Sequence, residues 1–324
     1  MNYLVTGGAG FIGSHFTDFL LSEIGRDDMV LCLDNLTYAG NLKNLAEAER
    51  HENFRFVKGD ICDKDFTDNV FSEFKPDVVI NFAAQTHVDR SITSPEIFFS
   101  TNLMGTVNLL ELSVKHKVSL FHQVSTDEVY GDYSERESLY PNGFTEDASL
   151  LPSSPYAASK ASAEMAALSF MRTYSLNISI SRPCNNFGER QYPEKLIPLT
   201  VKNALEGKPI PLYGDGGSVF REWVYVKDTC RAIYGIIQKR KNGCIYNISP
   251  SFSIDNKSLV EKILKIMNKP ESLIAKADDR KGHDIKYRIN SNKLLSELGF
   301  EFIYDFDESL ERTVKSLIEN ESRG

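Results

Sequence analysis

Three glycines near the start of the chain, Gly7, Gly10 and Gly13 in TGGAGFIG, restrict the possible fold more than any other feature of its 324 residues. They follow the apolar run Tyr3-Leu4-Val5 and precede FIGSHFTDFLLSEI, whose apolar residues recur at helical spacing. A strand that enters a helix through G-x-x-G-x-x-G can turn sharply and bring its backbone close to a ligand. The first N–H groups of the helix then face a pyrophosphate. A tight strand–helix turn without ligand satisfies the same glycines equally well, so the rest of the chain must decide between the two.

The strand–helix unit recurs along the first half. DMVLCLDN, FRFVKGDI, DVVINFAA, LFHQVST and NISISRP are strand-like, and helical stretches near 63–74, 95–117 and 154–174 separate them. Strands that return through helical crossovers form a parallel sheet covered on both faces. The expected fold is therefore α/β, a doubly wound parallel sheet of Rossmann type. Past Arg182 the alternation loosens, with helices expected near 193–205, 227–240, 256–267 and 306–318. Residues 1–181 read as a dinucleotide-binding domain. Residues 182–324 read as a smaller mixed α/β substrate lobe, partly interleaved with the first and meeting it at a cleft.

The formal net charge of -8 excludes a general nucleic-acid binder, which needs a basic footprint. Five scattered cysteines, none in a C-x-x-C pair, read as reduced buried thiols with neither a disulfide framework nor a metal site. The chain starts as strand and glycine loop, without a signal-peptide pattern, and no apolar run approaches the roughly 20 residues that cross a bilayer. The expectation is a cytoplasmic protein with no membrane partner.

Asp34 ends the second strand, where a carboxylate accepts from adenosine ribose hydroxyls and repels a 2′-phosphate, which favours NAD over NADP. Asp60 and Ile61 close the third strand near the adenine position. Asn81–Gln85 ends the fourth with Ala83 and Ala84, small enough for close backbone approach.

The fifth strand runs into Ser125-Thr126-Asp127-Glu128, two hydroxyls and two carboxylates where an apolar run stops. The ordinary reading is a capped turn with solvated acids. Tyr156 and Lys160, one helical turn apart, share a helix face. An ammonium beside a phenol would lower the phenol's pKa and make it usable as a base.

Taken together, the glycine loop, Asp34, Thr126 and Tyr156-x-x-x-Lys160 resemble the extended short-chain dehydrogenase/reductase family that acts on nucleotide sugars. STDEVYGD, LTYAGNL, HVDRSI, SPYAASKAS, PEKLIPL and GHDIKY resemble its 4,6-dehydratase branch, essentially end to end. The resemblance implies that Phe11, Ile12, Asn35 and Thr37 also line the NAD site. It implies that Tyr156 takes the 4-hydroxyl proton of a hexose while hydride passes to NAD, with Thr126 on the 4-oxygen and Lys160 also on the nicotinamide ribose. Glu128 would then remove the carbon 5 proton, Asp127 would protonate the leaving 6-hydroxyl, and NADH would return its hydride to carbon 6. Asp127 must stay protonated for this, which a second nearby carboxylate promotes.

The same resemblance places His87, Asn185, Arg221, Asn256, Arg280 and His283 on the nucleotide-sugar substrate, most of them facing the pyrophosphate. Glu194 and Lys195 would line the sugar pocket, and residues 210–216 would cup the base. It also implies a homodimer built on the helices near 95–117 and 154–174. Where the family has AAESHVDRS, SNNYGP, RDW and DRPGHD, this chain has Gln85-Thr86, Cys184 with Glu189, Glu222 and Lys281. A dTDP-hexose such as dTDP-glucose is the implied substrate. A UDP-hexose, a UDP-2-acetamido sugar, 4-epimerisation, and a regulator without turnover remain open.

Overall fold

The protein is described by a computed structural model over residues 1–214, 216–278 and 284–323. Strand β1 (Asn2–Thr6) pairs in parallel with β2 (Met29–Asp34) on one side and β4 (Val78–Asn81) on the other. β3 (Phe54–Lys58) extends the sheet past β2, and β5 (Leu120–Val124), β6 (Ile178–Pro183) and β10 (Cys244–Ile248) extend it past β4. The order β10-β6-β5-β4-β1-β2-β3 reverses direction at β1, which opens a crevice at the carboxyl ends of β1 and β4. β4, β5 and β6 are buried at every residue because helices cover both faces; β4 reads as an apolar run, whereas β6 alternates isoleucine with serine and β5 carries His122 and Gln123, polar groups buried with the rest.

The crossovers are α1 (Phe11–Glu23), α2 (Lys64–Phe74), α3 (Val88–Thr93), α4 (Pro95–Phe98), α5 (Thr106–Lys115) and α6 (Pro155–Tyr174). Their starts are written in the sequence: Asp63 accepts from the Phe66 N–H, and Ser154 accepts from the Ala157 N–H ahead of Pro155. A turn of π-helix, Phe99–Gly105, joins α4 to α5, so Pro95–Lys115 runs as one 21-residue helix. This corrects the expectation that no apolar stretch approaches membrane length: by length and composition this helix could cross one. Half of its most apolar window is buried in the fold, where it packs against α6.

The remaining elements are β7 (Asn185–Phe187), α7 (Leu196–Glu206), β8 (Ile210–Tyr213), β9 (Phe220–Tyr225), α8 (Val226–Lys239), β11 (Ser253–Asp255), α9 (Asn256–Ile266), β12 (Ile274–Ala277), α10 (Asn292–Leu298) and α11 (Phe306–Arg323). β11-β9-β7 and β12-β8 form two small sheets. The two halves are not separately cored. Phe16 and Val5 belong to the same buried cluster as Tyr225, Ile233, Tyr246 and Leu310. The chain returns to the main sheet at β10, and the expected boundary at residue 181 falls inside β6.

A buried ion pair ties these parts together. Arg182 in β6 reaches Glu164 in α6 at 2.5 Å, and the two side chains are 2% and 0% exposed. Arg182 also donates to the Tyr130 hydroxyl at 2.6 Å, and Tyr130 donates to Asn247 of β10 at 2.8 Å. Such a network costs desolvation but is high in stakes once satisfied.

Candidate active site

The glycine loop has the conformation its residues require. Gly7 sits at φ +68°, and a Cβ there would lie 2.6 Å from the Ala83 nitrogen at the end of β4. A Cβ on Gly13 would run into the Gly7 carbonyl. Gly10 caps α1 without a side chain, and no acidic residue occupies the helix's first turn, so its leading amides are available to an anion.

Beyond the loop, Asp34 accepts from the Ala9 N–H at 3.0 Å and the Leu36 N–H at 2.7 Å. Asn35 donates to Asp60 at 2.8 Å, and Asp60 accepts from the Cys62 N–H at 2.8 Å. Asn102, in the π-helical turn, accepts from the Gln85 N–H and donates to the Gln85 carbonyl, which fixes the chain just past Ala83 and Ala84.

These groups form one end of a cavity of about 470 Å³. Phe11, Ile12, Thr37 and Ile61 also line it, and Thr126, Asp127, Glu128, Tyr156, Lys160, Asn185, Glu194 and Lys195 line its other end. The Thr126 hydroxyl accepts from the Glu128 N–H at 3.3 Å, so the turn is capped as the ordinary reading expects. Asp127 nevertheless is not solvated. It is 3% exposed, and its Oδ2 has no hydrogen-bond partner. Burial, then the charges of Glu128 and Glu222, push its carboxyl well above the usual range.

Other polar atoms around this cavity are also buried without hydrogen-bond partners: Ser125 Oγ, Asn185 Nδ2, Asn186 Oδ1, Gln191 Oε1 and Glu194 Oε2. Such groups carry a desolvation cost unless a ligand meets them, and this cluster matches a ligand rich in hydroxyls.

The expected ammonium–phenol pairing is corrected. Lys160 donates to the Val124 carbonyl at 2.6 Å, and burial lowers it to about 8. The Tyr156 phenol is raised, first by burial and then by Glu128, while a hydrogen bond with Thr126 partly offsets this. A helical turn aligns two side chains along one face, but the tip of a long lysine goes to the nearest strong acceptor, here a strand-end carbonyl.

His87, Arg221 and Asn256 do not line this cavity. His87 Nε2 lies 3.5 Å from Glu194. Arg221 is buried, donates to the carbonyls of Phe220, Asp284 and Ile285, and stacks 4.2 Å from the Tyr287 ring. Asn256 starts α9, with a buried Oδ1 that has no hydrogen-bond partner. Arg280, His283 and Asp215 of the expected base-binding stretch lie outside the described residues. Gln85 and Thr86, met in the sequence as departures from the family pattern, also line the cavity, and Tyr38, Gln191 and Tyr192 line it without having been singled out from sequence. Of these, only Tyr38 lay in a segment, LTYAGNL, that could have drawn attention.

Residues 4–313 match the family model described as GDP-mannose 4,6 dehydratase. The chain belongs to this dehydratase family. It is 45% identical over 314 residues to the low-salt glycan biosynthesis protein Agl12 of Haloferax volcanii, covering 97% of each chain. It is 41% identical to the dTDP-glucose 4,6-dehydratase of Neisseria gonorrhoeae, covering 99% of this chain and 97% of that one. Among solved structures, DesIV, the dTDP-glucose 4,6-dehydratase of Streptomyces venezuelae with NAD and TYD bound, superposes with a TM-score of 0.94 at 42% identity, covering 100% of this chain and 98% of that one. The same fold carries epimerases: UDP-glucose 4-epimerase of Thermotoga maritima matches at 30% identity with a TM-score of 0.89, covering 99% of each chain.

Proposed function

We propose that this protein is an NAD-dependent dTDP-glucose 4,6-dehydratase, converting dTDP-glucose to dTDP-4-keto-6-deoxyglucose. The observation that carries the reading is the buried Asp127, its carboxyl raised by burial and by its carboxylate neighbours, next to Glu128 in the same cavity as Tyr156 and the glycine loop. An epimerase needs only the oxidation and its reversal; an added acid and base serve elimination of water.

The residues present fit NAD: an uncapped helix start, a glycine cradle that a Cβ would fill, and Asp34 beyond it. Bound NAD supplies an acceptor for hydride from carbon 4, a donor of hydride to carbon 6, and a positive charge that favours the phenolate. Tyr156 and Thr126 hold the 4-oxygen, with Tyr156 removing its proton. The carbon 4 ketone acidifies carbon 5; Glu128 takes that proton, and carbon 5 is reprotonated when carbon 6 is reduced. Asp127, kept protonated by burial and its carboxylate neighbours, donates to the departing 6-hydroxyl. Lys160 holds the Val124 carbonyl and so anchors α6 against the end of β5.

We also propose a homodimer. Ile97 and Met104 on the 95–115 helix and Met165 on α6 are exposed, at 49%, 54% and 48%, and pairing of these helices with a second copy would cover them. Sedimentation at micromolar concentration tests this, and a monomer refutes it. For the activity, incubation with dTDP-glucose should yield a 4-keto product with its alkali-induced absorbance. Turnover of a UDP-hexose in its place would move the assignment to that base, and absence of a keto product from every nucleotide hexose would end it.

A further inference from the structure

We propose that Tyr38 is the positioning residue that sets the Glu194 carboxylate against the hexose, an assignment that rests on the dehydratase reading. Tyr38 leaves the loop after β2, four residues past Asp34, on the dinucleotide side of the cavity. Glu194 comes from the loop ahead of α7, 156 residues later in the chain. The Tyr38 hydroxyl donates to Glu194 Oε1 at 3.2 Å.

The phenol is held on several sides. The Arg90 guanidinium lies 4.3 Å over its ring, the Tyr192 ring meets it edge-on at 5.4 Å, and the Thr86 hydroxyl is 3.5 Å from its oxygen. The strap that carries Glu194 is itself tied back, since Lys195 donates to the Thr86 carbonyl at 2.8 Å. A ring fixed in this way keeps the phenol oxygen within hydrogen-bond reach of Glu194.

The carboxylate it orients has one oxygen to spare. Glu194 is 10% exposed at its side chain, and Oε2 is buried without a hydrogen bond, with His87 Nε2 at 3.5 Å. Glu194 lines the same end of the cavity as Asp127, Glu128 and Tyr156. An oriented carboxylate oxygen accepts from a sugar hydroxyl at little ordering cost, whereas a freely turning one would lose rotamer freedom on binding. Burial raises the Tyr38 pKa, so the phenol remains a donor and does not repel Glu194 as an anion.

The substitution Tyr38→Phe keeps the ring, the Arg90 stacking and the Tyr192 contact, and removes only the O–H. In NAD-loaded protein carrying Tyr156→Phe to halt turnover, calorimetry compares dTDP-glucose with dTDP. We expect Tyr38→Phe to weaken dTDP-glucose about tenfold, the scale of one charge-assisted hydrogen bond, and to leave dTDP unchanged. Glu194→Ala should weaken dTDP-glucose at least as much, and adding Tyr38→Phe to it should cost nothing further, because the two side chains act as one unit.

A change below about twofold on Tyr38→Phe, equal losses for dTDP and dTDP-glucose, or losses that multiply in the double variant would each overturn the assignment. Parental protein that binds dTDP-glucose no more tightly than dTDP would overturn it as well. Failure of the dehydratase reading looks different: hexose-dependent binding with the expected loss on Tyr38→Phe, but no keto product from protein that retains Tyr156.

Discussion

The Lys160 ammonium donates to the Val124 carbonyl at 2.6 Å, which ties this buried lysine to a backbone oxygen at the end of β5. Burial lowers it to about 8, against 10.5 for an ordinary lysine. Between these two values the unfolded chain binds the proton and the folded chain does not, so stability rises as pH increases from about 8 to about 10.5. Urea titrations across that window should show the rise, and Lys160→Met should flatten it. The same substitution should also cut kcat by about a hundredfold or more, because α6 loses its anchor beside the reacting oxygen.

Glu222 gives the opposite sign. Burial raises its carboxyl to about 7 from 4.5. The folded state holds this proton more tightly, so stability is lost as pH climbs from about 4.5 through about 7, by up to about 3 kcal/mol. Gln fits the same space and still accepts from the Ser249 hydroxyl and the Ile289 N–H. Glu222→Gln should therefore flatten that slope in denaturant titrations. Because the Glu222 charge also raises Asp127, the alkaline limb of the pH–rate profile should move to lower pH.

Asp127→Asn should separate oxidation from elimination. The amide keeps the shape but has no acidic proton to give, so formation of the keto-deoxy sugar should fall by about 10²–10⁴. The absorbance of reduced cofactor should still appear on mixing with substrate. Loss of both signals together would mean that Asp127 acts at the oxidation step instead.

The Arg182–Glu164 pair should carry fold stability. Glu164→Ala leaves the Arg182 guanidinium buried and uncompensated, at a cost of about 3–5 kcal/mol in equilibrium unfolding. The smallest effect is expected when both partners are replaced together by apolar residues of similar volume, since desolvation is then relieved along with the attraction.

Gly7→Ala should empty the cofactor site. The new methyl would lie 2.6 Å from the Ala83 nitrogen, in a conformation at φ +68° that disfavours a Cβ. Purified variant should contain little dinucleotide by absorbance and mass spectrometry, while retaining its far-ultraviolet circular dichroism.

What the sequence determined by itself is the part governed by nearest neighbours along the chain. Glycine spacing dictates a loop that a strand and helix flank, Ser154 and Asp63 start helices, and the Val78-Val79-Ile80 run marks a strand covered on both faces. Asp127 and Glu128 stand out because an apolar strand rarely ends in adjacent acids. Tertiary structure decided what these groups do. It turned Lys160 to a carbonyl, raised the Tyr156 phenol, enclosed Arg221 among carbonyls, returned β10 to the main sheet, and set Tyr38 against a carboxylate 156 residues away. The reason is physical: backbone preference acts over a few residues, whereas desolvation, charge fields and the choice of hydrogen-bond partner depend on whatever the fold packs alongside.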